Sequence, residues 1–431
     1  MPFAERQFIK MIENNNLNTS IFFVPIYNKS IEKTIKTLEN NEKWSVIEKK
    51  ELTTNYLLKY VDRLTTDENL FISFKYNVLE KEKVSFQMSE YTDGGTEVVN
   101  KKYEEKVSVS DIRVSVFGTG IAFAELQVSY NGLTPDEICD FVYTFKKIYK
   151  HDDIDEGKKS FLGIINEALP KDSVPFFYNS VNHGENAFKN ECIGFHTLRF
   201  FEDEINDIEL KELLFRLRRG YGTRFKYEEC QGQYDFEYNP STFDFWSGSQ
   251  EGLVNIIRVN EGNIFYDKYK YLQFIRDYRF MYLMLLNQRF SAIRYIEEVA
   301  TGDFDTIRDV NERIVRLKTV YSFRVVSNDF IYQNLYIRIY RLLDIDNILD
   351  DLSENEQQVE MYRAKSHEKA EKQTNKLLIA ISFLSVFSFL IDASSYLELF
   401  APFSSISKWI SLLTICAIMI TWMINWYLNR K

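Results

Sequence analysis

The sequence predicts an α+β cytoplasmic domain followed by a long α-helical stalk and two C-terminal transmembrane helices. Three observations carry this expectation. Strand-like and helix-like patterns alternate through the first 265 residues. Neither glycine nor proline occurs from Asp303 to Ala401, so both common helix breakers are missing. Two apolar segments then close the chain, Leu377 to about Phe400 and Trp409 to Leu428. Each is about 20 residues, the length that crosses a roughly 30 Å hydrocarbon core.

At 431 residues the chain has room for two or three domains. The division expected is 1–265 as an α/β ligand-sensing domain, 266–376 as long helices and stalk, and 377–431 as a two-helix membrane domain. The net charge is −10, which argues against direct, non-specific nucleic-acid binding. Cys139, Cys192, Cys230 and Cys416 form no C-x-x-C pair, so neither disulfide staples nor a zinc knuckle is expected. The start, "MPFAERQFIKMIENNN", has no apolar signal-peptide core.

In the first part, "SIFFVPIY", "NLFISFKYNVL" and "ECIGFHTLRFF" read as strands. "DIRVSVFGTGIAFAELQVSY" reads as a hairpin turning at Gly118-Thr119-Gly120. The charged stretch from Glu80 to Lys106 reads as a solvated hairpin arm. "LTPDEICDFVYTFKKIYK" opens a helix with Thr134 as N-cap, Pro135 at N1 and Glu137 at N3 completing a capping box. Tyr266 to Ala300 reads as a long helix. A second very long helix is expected from about Asn328 through the stalk into the membrane, with Glu368 and Lys372 as an i,i+4 pair.

Lysine and arginine flank the first apolar segment on its N-terminal side and follow the second at Arg430 and Lys431, while the loop between holds Asp392 and Glu398. The positive-inside rule then places both termini in the cytoplasm, in a multi-pass protein of the inner membrane. On a helix Asn375, Ser382, Ser385, Ser388 and Asp392 fall within one arc of about 140°. Such a stripe lines a pore in an oligomer. Alternatively, the serines bond back to their own helix and Asp392 lies beyond the membrane.

The four histidines lie far apart, and no P-loop, nucleophile elbow or kinase motif is present, so no catalytic role is expected. One patch suits a phosphate and a purine: "FRLRRGYGTRFKYEE", with Arg218, Arg219, Tyr221 and Arg224 around two glycines. Its alternative is a helix C-terminus with basic residues and a glycine cap. Downstream, Ser247, Ser249 and Glu251 form a backbone cradle for a ligand or a tight turn. Asp344, Asp346, Asp350 and Asp351 offer carboxylates to divalent cations, or form a solvated helix face. No metal-ligand set is assigned.

A large α/β domain, a stalk helix, two closing spans and a short acidic loop together resemble the CorA-type ion transporter superfamily over about Tyr266 to Lys431. The Gly-Met-Asn motif of that family is missing, because no glycine follows Gly302 and the place reads "IDASSYLELF". The layout is similar to the divergent CorA-like branch found with type III CRISPR systems. That resemblance implies a homopentameric ion channel and antiviral effector gated by a nucleotide second messenger, an adduct of S-adenosylmethionine and AMP (SAM-AMP). The implied partners are the lipid bilayer, further copies of the chain and the messenger. A divalent cation transporter of the magnesium type and a membrane-anchored scaffold are the competing expectations.

Overall fold

A computed structural model of the chain describes residues 18–28, 30–53, 56–78, 86–91, 98–103, 106–148, 156–171, 173–175, 192–225, 235–259, 269–301 and 304–398, together with Trp409 and Leu413. The chain divides into two compact units, Met1–Ser353 and Glu354–Lys431.

The first unit is built on strands β1 (Thr19–Tyr27), β2 (Trp44–Val46), β3 (Phe71–Tyr76), β4 (Gln87–Tyr91), β5 (Val98–Lys102), β6 (Val107–Phe117), β7 (Ile121–Tyr130), β8 (Val174–Pro175), β9 (Ile193–Phe201), β10 (Phe236–Ser241), β11 (Asp244–Ser249) and β12 (Gly252–Val259). Its main sheet runs β10-β11-β12-β9-β1-β7-β6-β3-β2, with β8 pairing to β1 off this path. β12 and β9 pair in parallel, whereas the other neighbours are antiparallel. β4 and β5 pair only with each other, as the hairpin-arm reading expects.

The long helices are α1 (Ile31–Glu39), α2 (Pro135–Lys146), α3 (Glu156–Ala168), α4 (Asp207–Arg219), α5 (Arg279–Thr301), α6 (Phe304–Arg316), α7 (Phe330–Leu342) and α8 (Ile345–Glu398). Helices α1 to α7 and the first turns of α8 cover both faces of the sheet, so its central strands are buried on both sides. All ten residues of β7 are buried. Strand alternation sorts them. Ile121 and Phe123 join α5 and α7 in one core. Ala122, Ala124, Leu126 and Val128 join α2, α3 and α4 in the other. The two layers are called the α5 face and the α2 face below.

The β6–β7 hairpin turns at Gly118-Thr119-Gly120, as expected, with Gly120 at φ 97. The Thr134 capping box is also present, with Pro135 in the first turn. The helix read from Tyr266 to Ala300 is helical throughout its described part, but a π-helical turn at Phe274–Tyr278 precedes α5.

Two expectations are corrected. The helix expected from Asn328 onward is broken between α7 and α8. Asp344 adopts the left-handed conformation, φ 56, and accepts at Oδ1 from Asn347 Nδ2 at 2.7 Å. Aspartate tolerates that region because its short polar side chain bonds locally. The absence of glycine and proline therefore did not guarantee continuity.

The second correction concerns the membrane. Among the described residues no helix is long and apolar enough to cross one. The two C-terminal transmembrane helices, the multi-pass inner-membrane location with its cytoplasmic termini, and the ion channel built on them are thereby overturned. The physical reason lies in α8. Its apolar run, Leu377 to Ile391, is closed by Lys376 and Asp392. At 1.5 Å per residue it is about 22 Å long, short of the roughly 30 Å core. The second apolar segment lies outside the described residues except for Trp409 and Leu413, which are exposed.

On α8, Asn375, Ser382, Ser385 and Ser388 are exposed. Ser385 Oγ donates to the Ile381 carbonyl at 2.9 Å, the back-bonding alternative for such serines. The Asp392 side chain lies outside the described residues. The pore-lining reading of these five residues required a spanning helix and falls with it. Lys372 and Glu368 pair at 2.7 Å, as expected.

The hairpin turn generates a test. A Cβ at Gly118 would stand 2.4 Å from the Asn69 carbonyl oxygen and 2.6 Å from Tyr321 Oη. The backbone oxygen cannot swing aside, and Tyr321 Oη is held on the Leu70 carbonyl at 2.9 Å. Gly118→Ala is expected to destabilise the chain by about 1–3 kcal/mol, the usual cost of overpacking. Urea denaturation measures it, and an unchanged midpoint would refute the close approach.

Candidate functional site

Five of the seven residues proposed for ligand binding meet at the C-terminus of α4. This helix starts at a capping box, with Asn206 accepting from the Ile208 and Glu209 amides. It ends at Gly220, φ 57, whose amide reaches back to the Arg216 and Leu217 carbonyls. That is a left-handed glycine cap, which side chains disfavour. β11 and β12 run beneath, and alternation turns Ser247 and Ser249 toward α4.

Arg218 is 2% exposed. Its Nη1 donates to Ser247 Oγ at 2.8 Å and to Glu237 Oε1 at 3.4 Å, and its Nη2 lies 3.7 Å from Asp235. Arg219 Nη2 donates to Asp235 Oδ2 at 2.5 Å. Ser249 Oγ donates to the Arg218 carbonyl at 2.6 Å and accepts from the Glu251 amide at 3.1 Å. Lys146 Nζ, from α2, donates to the Arg219 carbonyl at 2.8 Å and to Glu251 at 3.1 Å. The expected cradle thus satisfies the last carbonyls of α4, which a helix leaves without intrahelical donors. The cations Arg218, Arg219 and Lys146 face the carboxylates Asp235, Glu237 and Glu251, so the cluster is electrically balanced.

Tyr221 and Arg224 stand apart, on the loop that follows the glycine cap. Asp140 pins that loop by accepting from the Thr223 amide at 2.8 Å and from Thr223 Oγ1 at 2.9 Å. A Cβ on Gly222 would meet Asp140 Oδ1 at 2.8 Å, so the loop lies tight against α2. Tyr221 stacks on Phe225 with centroids 4.5 Å apart, and Phe225 leans on Tyr143 at 5.4 Å. Arg224, exposed, lies 4.4 Å from the Tyr143 centroid and 5.0 Å from that of Phe225. Lys147 Nζ lies 4.0 Å from the Tyr143 centroid and donates to its hydroxyl at 2.7 Å. The three rings are half-buried, so a ledge of aromatic edges and cations reaches solvent.

Sequence reasoning missed Lys146, Asp235, Glu237, Tyr143, Lys147 and Phe225 as members. Phe225 lies within the basic stretch and Asp235 just after it, so both were within reach. Lys146 bonds Glu251 across 105 residues, and no local pattern signals that.

A serine–histidine relay also exists, in the core. Ser20 Oγ lies 2.6 Å from His196 Nδ1 and accepts from Tyr130 Oη at 2.7 Å. All three are at most 2% exposed, and burial pulls the imidazole down to about 3, so it stays neutral. Ser20 is sealed from any substrate. The relay satisfies polar groups within the sheet.

For cations, no group of three or more His, Cys, Asp or Glu among the described residues is placed to hold a metal ion. Of the acidic set on α8, Asp346 accepts from Tyr340 Oη at 2.8 Å, and Asp350 and Asp351 are exposed.

The buried arginine supplies the second test. Arg218→Ala leaves Asp235, 5% exposed, with one cation fewer and Ser247 without its donor. Breaking a buried pair in this way costs about 3–5 kcal/mol. Denaturation should show this loss with no ligand present, and an exposed-residue effect near zero would refute the structural role. No protein-family model, curated protein or solved structure matches the chain.

Proposed function

We propose that the Met1–Ser353 unit is a binding module that senses an adenine-containing nucleotide messenger, and that it works by recognition rather than catalysis. The observation that carries this reading is the Tyr221–Phe225–Tyr143 ledge with Arg224 lying across it. Half-exposed rings offer a stacking surface to a purine, and stacking is worth about 1–3 kcal/mol per base. A guanidinium beside them suits a phosphate, which it grips in a planar fork. The Asp140 clamp holds the loop in place before a ligand arrives, which lowers the ordering cost of binding.

The site moves by one turn of chain relative to the residues first considered. Arg218, Arg219, Ser247, Ser249 and Glu251 support the platform from beneath. Tyr221 and Arg224 contact the ligand, with Tyr143, Phe225 and Lys147 added. An S-adenosylmethionine–AMP adduct carries both an adenine ring and a phosphate and fits this chemistry. The sealed Ser20–His196 relay favours recognition over reaction.

Titration calorimetry with AMP as the probe tests the reading. Tyr221→Ala should weaken binding about tenfold or more, and Arg224→Ala by about ten- to a hundredfold, because a charge-assisted contact contributes about 1.5–3 kcal/mol. Arg224 is exposed and, among the described residues, touches only the ledge rings, so Arg224→Ala should leave stability unchanged, whereas Tyr221 also packs on Phe215 and beneath Lys146, so the Tyr221→Ala variant is read together with its denaturation midpoint. Undetectable AMP binding, or a Tyr221→Ala variant that binds as tightly, would overturn it.

A further inference from the structure

A cavity of about 250 Å³ lies on the α2 face, between α3 and the strands β1 and β7. Its floor is the cross-strand pair Val24↔Ala124 with Ile26 beside it, and its wall is Phe161 and Ile165 of α3. All five are at most 5% exposed. The sequence makes this hollow. Farther along β1 on the same face, Phe22 packs against α2, its ring 4.6 Å from that of Phe145. Opposite α3 the β7 residue is an alanine, whose single methyl leaves the space unfilled.

The rim has the opposite character. Asn166, on the last turn of α3, and Lys171, just past its end, are exposed and border the same cavity. Pro170 stands between them and cannot continue the helix. The Ser173 amide donates to the Pro170 carbonyl at 2.9 Å, and Ser173 Oγ donates to Asn28 Oδ1 at 2.9 Å. Val174 follows in β8, paired with Tyr27 of β1. The rim is thereby tied to the sheet before a ligand enters, which lowers the ordering cost of binding. Among the described residues Lys171 is the only charged group lining the cavity, and no carboxylate pairs with it. Glu167, on the same turn as Asn166, pairs instead with Lys43 at 3.4 Å. The C-terminus of α3 carries roughly half a unit of negative charge, which the full charge of Lys171 outweighs.

We propose that this cavity binds a straight-chain carboxylate of medium length, with its alkyl tail between Ala124 and Phe161 and its head on Lys171 and Asn166. Three features select that class. The buried walls are apolar, and apolar cavities of about 150 Å³ stay dry and accept a benzene-sized molecule, so 250 Å³ accepts a chain of about eight carbons. The rim offers donors to an anion: an ammonium and an amide, while the Ser173 proton is committed to Asn28. The volume lies below the roughly 300 Å³ at which drug-sized sites begin, so a nucleotide does not fit.

The test is calorimetry on the full chain at fixed ionic strength, with sodium octanoate below its micelle concentration as the probe. Saturable binding of one octanoate per chain is expected. Octanoate should bind about fifteenfold more tightly than hexanoate, because it buries two more methylenes. It should also bind about tenfold more tightly than octylammonium, which keeps the tail and reverses the head, each head contributing as much as an exposed ion pair does. Lys171→Glu, at an exposed position that leaves the fold intact, should invert that order. Ala124→Leu fills the floor and should abolish binding with the denaturation midpoint kept or raised. Heat that does not saturate would overturn the proposal, as would hexanoate bound as tightly as octanoate. So would an order of octanoate over octylammonium that survives Lys171→Glu, or an Ala124→Leu variant of unchanged affinity. Arg224→Ala removes the cation of the nucleotide ledge and should leave octanoate binding unaltered, so the two readings fail separately.

Discussion

The buried pair between Arg279 and Glu125 is the constraint on which the α5 face depends. Arg279 Nη2 lies 2.6 Å and Nε 2.7 Å from Glu125 Oε2, and both residues are at most 4% exposed. β7 alternates so that Ile121 and Phe123 give way on the same face to Glu125 and Gln127. An apolar layer therefore turns polar halfway along one strand. Buried carboxylates must be paired and bonded, or their desolvation is uncompensated. Glu125 is served by Arg279 and by Ser115 Oγ at 2.5 Å, and Ser115 in turn touches Ser73 at 2.9 Å. Beside them Asp111 meets Arg113 at 2.5 Å. Burial pushes Asp111 up, but Arg113, Lys75 and Arg279 outweigh it and hold the carboxyl below its usual range.

Arg279 is the first residue of α5, so the pair sets the point from which the helix crosses the sheet. It also sets the place of the π-helical turn that ends at Tyr278. Asp277 and Tyr278 take their places because the residue after them is tied to the middle of β7. Further along α5, Thr119 Oγ1 donates to Asn287 Oδ1 at 2.7 Å and Tyr295 Oη donates to the Thr119 carbonyl at 2.6 Å. The β6–β7 turn is thus bound to the same helix at two points. Between Arg279 and Asn287, Tyr282, Leu285 and Leu286 are buried, and this long apolar run defines much of the core.

The features legible in the sequence were those a few residues encode. Gly118-Thr119-Gly120 marks its turn because only a short, flexible stretch can reverse the chain there. Thr134, Pro135 and Glu137 mark a helix start because the capping contacts span three residues. The α4 cluster was half legible. Its arginines and its glycine cap lie together, but the carboxylates that neutralise Arg218 and Arg219 come from β10 and the residue before it. The break at Asp344 was hidden, since a left-handed aspartate leaves no compositional trace. The apolar run on α8 was overread: a charged residue at each end shortens it below a spanning length, and the count has to start from those charges.

β11 explains why two polar sites can sit so close without mixing. Its six residues pair with β12 from Asp244↔Ile257 to Ser249↔Gly252, and with β10 through Glu237↔Ser247. Trp246, fully buried, anchors the register on the α5 face against Tyr278 at 4.9 Å. A slip of one residue would carry Trp246 to the α2 face and exchange the two sets of polar groups. With the register held, Asp244 faces Lys270 while Ser247 and Ser249 face Arg218 and the end of α4. Gly248 completes the separation. A Cβ there would meet Phe236 at 2.7 Å and Leu342 at 2.8 Å, so the strand can lie flush against α7 only without one. The Arg218–Ser247 contact on one face and the Lys270–Asp244 ion pair, 2.5 Å apart, on the other are thus two consequences of one strand's alternation.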